Sequence, residues 1–153
     1  MVSKPVSIQK VIDRVGNCVS RDDLHECGSA AQYSSIKELK DFRPRTAYVL
    51  LAQERWDGEQ AKAGRQRMIV NFGVVTAVQN YRDARKGAET AEEIDPLIGT
   101  IRDALIGWVP EGLSGDREWG LIEGGVLDYD QNTLLWIDVY QTQHFIGGGC
   151  EQR

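Results

Sequence analysis

The sequence predicts an α+β fold, a mainly antiparallel sheet of about four strands packed with helices. Three observations carry that expectation. Residues 67–81 alternate apolar side chains onto both faces, residues 90–107 hold one apolar helix stripe, and residues 121–129 and 133–142 flank a short polar turn. At 153 residues the chain suits a single domain spanning 1–153, large enough to bury its own core without disulfides or metals.

The N-terminal region, residues 1–43, reads as helical. Ile8, Val11, Ile12 and Val15 fall at i, i+3, i+4 and i+7, with Pro5 or Ser7 at the start and Gly16 at the end. Residues 17–28 are polar and irregular. Ser35 and Glu38 have capping-box spacing ahead of Leu39 and Phe42, which predicts a second short helix closed by Pro44.

Residues 46–52 are rich in strand formers and short enough for a central strand. The next stretch, 53–66, is a polar arm with one lone aromatic, Trp56. Its length and polarity mark a contact segment or a mobile one. In residues 67–81, Met68, Val70, Phe72, Val74 and Val78 share one face while Ile69, Val75 and Ala77 share the other, so both faces of this strand are expected to be covered.

The helix begins either with the Thr90 and Glu93 capping box or at Asp95, with Pro96 in the first helical position. Both starts bury Leu97, Ile98, Ile101 and Leu105, and Gly107 with Pro110 supplies the stop. In the last hairpin, Gly124-Gly125 predicts a bulge or a close backbone approach. Residues 147–153 read as a flexible tail. The expected core is Val49, Leu51, Val70, Phe72, Val74, Leu97, Ile101, Leu105 and Trp136.

Charge and composition narrow the function classes. The net charge of −5, with basic residues scattered along the chain, does not make the concentrated basic face of a nucleic-acid binder. The longest apolar run, residues 47–52, is far short of the roughly 18 residues that cross a bilayer, and no secretory signal is visible. Membrane partners are not expected. Cys18, His25 and Cys27 cluster, with His144 or Cys150 available from the far end, but there is no CxxC pair or other zinc spacing. Neither a metal nor a cofactor is therefore assigned.

Catalytic patterns break down on inspection. Asp128-x-Asp130-x-Asn132 opens like a calcium loop, but Thr133 stands where that loop needs Gly and Val139 where it needs Glu. Residues 112–115 are one residue short of a nucleophile elbow, and no phosphate-binding glycine loop is present. Glu123 and Asp138 are not selected as an acid–base pair by any spacing. The chain is read as a non-enzyme. Asp138 is the most interesting acid, since alternation sets it beside Trp136 and Tyr140, on a face that is either solvent or a subunit boundary. Trp108 and Trp136 are expected in the core. Trp56 and Trp119 lie among polar neighbours and suit an interface.

Taken in order, Arg45-Thr-Ala-Tyr-Val-Leu-Leu, Phe72-Gly-Val-Val-Thr-Ala-Val, Tyr81-Arg-Asp, Leu105-Ile-Gly-Trp-Val-Pro, the Gly124-Gly125 strand and Trp136-Ile-Asp-Val-Tyr-Gln-Thr resemble the tail terminator, or tail completion, proteins of long-tailed bacteriophages, particularly the Mu-like group. The resemblance covers roughly two thirds of the chain, from Pro44 to Thr142. It implies a structural subunit that forms a six-fold ring on the tail tube, stops tube polymerisation and offers a docking face to the head connector. Assembled in the host cytoplasm, it would sit at the head-proximal end of the virion tail, touching tube protein, connector protein and its own copies, while DNA passes the lumen without specific binding. On that reading Arg55, Trp56, Arg65, Trp119, Asp138 and Tyr140 are the expected interface residues. A head-to-tail connector subunit and a small-molecule-binding enzyme domain are the competing classes; a stable ring argues against the enzyme, and the partner captured separates terminator from connector.

Overall fold

Alternation along residues 65–79 organises the molecule, because a strand apolar on both sides must be covered on both sides. The computed structural model describes residues 5–60, 63–80, 96–110 and 120–147. Within them the elements run α1 (Ile8–Cys18), β1 (Glu26–Ser29), α2 (Ala30–Ser35), a 3₁₀ turn (Leu39–Asp41), β2 (Thr46–Trp56), β3 (Arg65–Gln79), α3 (Leu97–Leu105), β4 (Gly120–Tyr129) and β5 (Thr133–Gly147). The sheet order is β1-β2-β3-β5-β4; β1 lies parallel to β2 and every other pair is antiparallel. This is an α+β fold, with one strand more than the sequence predicts.

The two faces of β3 feed two cores. Val70, Phe72, Val74 and Val78 join Val11 and Val15 of α1, Leu97, Ile101 and Leu105 of α3, Val49 and Tyr140 in the larger cluster. Phe72 and Tyr140 stack there with ring centroids 5.1 Å apart. On the opposite face Val75, Ala77, Tyr48 and Leu135 pack against Phe42, with Tyr33, Ile36 and Leu39 around them.

Helix α1 keeps the predicted buried stripe of Val11 and Val15 but runs two residues past Gly16. Arg14 ties it to α3, its Nε donating to the Ala104 carbonyl at 2.9 Å while the guanidinium lies over Trp108. Pro96 stands at the start of α3, its carbonyl accepting the first helical bond from Thr100 N–H at 3.1 Å. Gly107, at φ +82°, takes the left-handed conformation that ends the helix. The Thr90 and Glu93 capping box lies outside the described residues.

Several expectations are corrected. The polar stretch 17–28 ends in a strand, β1, whose partner is the already formed edge of β2 rather than anything in its own pattern. The second helix comes earlier than expected. Gln32 Oε1 accepts from Ser29 N–H at 2.8 Å, so the helix starts after Ser29, and Ser35 ends it; Leu39 and Phe42 belong to the 3₁₀ turn and its cap. The polar arm 53–66 is largely strand at its two limbs, because β2 runs to Trp56 and β3 starts at Arg65. Leu51 is 39% exposed: it sits at a register shift between Leu51 and Gln53, where the helix layer no longer covers the strand. Trp136 is only partly buried against the core. Gly147 closes β5 opposite Arg65, whereas the rest of the expected tail lies outside the described residues.

Candidate functional site

Asp138 sits in the middle of β5, and alternation points it, with Trp136 and Tyr140, at the helix-covered face. Arg102, on α3, meets it as a fork: Nε donates to Oδ2 and Nη2 to Oδ1, both at 2.7 Å. Trp136 Nε1 donates to Oδ1 at 2.7 Å, and the Tyr140 hydroxyl reaches Oδ2 at 3.5 Å. The Arg102 guanidinium also lies 5.7 Å from the Trp136 ring centroid.

Four donors thus converge on one carboxylate, using its acceptor capacity within the chain. The hydrogen bond to Asp138 raises the Arg102 pKa further, and burial, with Asp138 beside it, raises that of the Tyr140 hydroxyl. Tyr140 therefore stays a neutral donor. The cluster locks α3 to the sheet.

Strand β4 closes over this lock at Gly124, paired with Asp138. A Cβ at Gly124 would lie 2.5 Å from Asp138 Oδ1 and 2.6 Å from Arg102 Nη2. This is the close approach anticipated for Gly124-Gly125. Bulges are also present, but at the register shifts around Ile122 and Leu127. Gly124→Ala is expected to destabilise the fold by about 1–3 kcal/mol, because neither member of the ion pair can retreat without breaking it. Chemical denaturation checks this, and an unchanged midpoint would mean that the lock has slack.

The expected interface residues separate into two groups. Asp138 is 3% exposed and Tyr140 fully buried within the folded chain, and Arg102, 36 residues away, draws the acid inward. Arg55 and Trp56 follow one another at the end of β2, opposite Ile69 and Met68, while Arg65 begins β3 with its guanidinium 5.2 Å from the Phe145 ring centroid. Trp119 lies outside the described residues.

The end of the β2–β3 hairpin is braced. Trp56 is 50% exposed, yet its Nε1 donates to the Glu59 carbonyl at 2.7 Å. Arg67 binds the Asp57 carboxylate, and its Nη2 reaches Glu59 Oε2 at 2.8 Å. The Glu59 backbone N–H, then Arg67, hold the Asp57 carboxyl below the usual carboxylate range. A depressed carboxyl stabilises the folded form above its unfolded pKa, about 3.9, and loses that contribution as pH falls through the folded value. The Trp56 indole signal in an NMR titration should accordingly hold constant down to about pH 4 and shift only below it; a change centred above pH 5 would exclude Asp57 as the brace.

At the base of the hairpin His144 is buried, its Nε2 2.8 Å from Glu54 Oε1, and the same oxygen accepts from Val6 N–H at 3.3 Å. This anchors the N-terminal segment to the sheet. Cys18 is exposed, while burial, followed by Asp13 and Glu26, pushes the Cys27 thiol up to about 12. Among the described residues no three His, Cys, Asp or Glu side chains converge on a metal-sized site. Cys150 lies outside those residues. The calcium-like Asp130 instead serves the hairpin turn, its Oδ1 accepting from Asn132 and Thr133 N–H at 2.8 and 2.7 Å.

A surface that simple alternation misses is β4. It is the sheet's edge, and Ile122, Val126, Leu127 and Tyr129 are all exposed on it. The available signal was large apolar residues at both parities of one strand, Ile122 and Val126 against Leu127 and Tyr129.

In this α+β domain the best-formed polar cluster holds its own helix, and the edge and hairpin end present apolar groups outward, as surfaces of contact with other proteins do. The sequence model of the phage tail terminator protein family matches residues 1–152, and the chain belongs to that family. It is a structural component of the virion tail, with an assembly role among other tail and head components. No curated protein matches the chain.

Proposed function

We propose that this chain caps the tail tube as a ring, halts tube polymerisation and presents the face on which the head connector docks. The observation that carries the reading is the family match over residues 1–152. We further place it in the Mu-like group, at the head-proximal end of the tail, as a hexamer assembled in the host cytoplasm, with DNA passing its lumen unbound. The chemistry of the surface supports contact rather than catalysis: Trp56, half exposed and held by Glu59, is a preorganised aromatic anchor of the kind that dominates interfaces. Arg55, Arg65 and Trp119 are kept as further contacts from the sequence.

Tails assembled with and without the protein test the reading. Tubes of uncontrolled length are expected in its absence, and a six-fold ring at the tube end in its presence, seen by electron microscopy. Another symmetry, or no density for this chain at the tail end, overturns it. Trp56→Ala should leave the fold intact and weaken capping, with a loss of roughly 2 kcal/mol in association.

A further inference from the structure

Strand β2 changes face along its length. Up to Leu51 its pairing with β3 is regular, and Tyr48 and Leu50 pack on the Phe42 side while Val49 enters the larger core. Then the register slips. Leu51 is opposite Phe72 but Gln53 is opposite Asn71, so Ala52 is the extra residue of a bulge, and one added residue inverts the alternation. Beyond it Glu54 pairs with Val70 and Trp56 with Met68, which puts both on the side of the sheet that carries α1 and α3, while Arg55, opposite Ile69, takes the other side.

This far limb of β2 has little strand support. β1 pairs with β2 only from Thr46 to Val49, so from Leu50 onward β3 is its one strand neighbour among the described residues. Glu54 supplies a further tie. Its Oε1 lies 2.8 Å from Nε2 of His144 on β5, reaching over β3, and accepts from Val6 N–H at 3.3 Å. His144 and Val6 are buried, whereas Trp56, two residues along the same face, is half exposed. In the ladder His144 and Trp56 stand on either side of Met68. The Glu54 carboxylate therefore fixes the part of the sheet from which the indole projects.

We propose that Glu54, clasped by His144 and Val6, is the positioning residue for the hairpin end: it holds the limb beyond the bulge against β5 and so fixes the direction in which Trp56 meets its partner. The inference rests on Trp56 as the contact anchor of the capping role, and it names the residue that presets that anchor. An aromatic held in place loses less freedom on binding than one on a swinging limb. The effect of Glu54 on capping passes through Trp56.

A double-mutant cycle in the full-length chain tests it, read as the protein concentration that stops half of the growing tail tubes. Glu54→Ala is expected to raise that concentration about fivefold, the scale of ordering a side chain at an interface, and to shift the Trp56 indole N–H resonance. In a Trp56→Ala background the same change should add less than about twofold, because its route is gone. Should Glu54→Ala fail to fold, His144→Leu, which fills similar space without a polar atom, carries the same expectations. A loss of equal size in both backgrounds would make Glu54 a structural residue only and overturns the inference. If Trp56→Ala weakens capping and Glu54→Ala does not, the clasp falls and the anchor stands. If Trp56→Ala alone caps at the parent concentration, the anchor reading falls and this inference falls with it.

Discussion

Replacing Arg102 with alanine is expected to destabilise the protein by about 3 kcal/mol, since it leaves the buried Asp138 carboxylate without its ion. Removing one partner of a buried pair costs roughly 3–5 kcal/mol, and the lower end applies because the Arg102 side chain is 32% exposed. For a chain of this size the loss corresponds to a melting temperature lower by about 6–12 °C. Asp138→Asn should cost less: the amide keeps an oxygen for Trp136 Nε1 but removes the charge that Arg102 requires. If both variants melt like the parent, the forked contact contributes nothing and α3 is held by apolar packing alone.

Leu105→Ala is the second large effect. Leu105 is fully buried among α1, α3 and the sheet, and truncation removes its transfer free energy and leaves a cavity, together roughly 2–5 kcal/mol. Ile106, one residue on, is 48% exposed, so Ile106→Ala is the matched control and should stay within about 0.5 kcal/mol. Equal losses from both would put the helix in a different register.

Much of this architecture was legible because it is written locally. The two-faced pattern of β3 requires two covering layers, and the structure supplies α1 and α3 on one side and the α2 region on the other. The α3 stripe and the Asp130 turn are likewise set by their own residues. What was hidden depends on partners distant in sequence. The four residues of β1 have no strand pattern, and only the neighbouring β2 makes them one. Asp138 looks like a surface acid until Arg102 is placed against it. Leu51 looks like core until the register shift beside it is known. The hairpin end was visible as a polar stretch with a lone tryptophan, but not the brace of Asp57, Arg67 and Glu59 that stiffens it. The groove between the 3₁₀ turn and β4 could not be read from the sequence because its walls come from residues near 36–42 and 127–135, which the fold brings together.

The place of β5 in the sheet has a consequence for synthesis. It is the last of the described elements, yet it lies between β3 and β4 and pairs with both along most of its length. Its ladder with β3 joins Gln79 to Thr133 and Arg65 to Gly147, contacts of long sequence separation that form late and slowly. While the chain is still on the ribosome, β3 lacks one neighbour and β4 has nothing to lie against. The bulged edge cannot take shape until residues 133–147 have left the ribosome, so a nascent chain that stops short of them offers a neighbouring copy no finished edge.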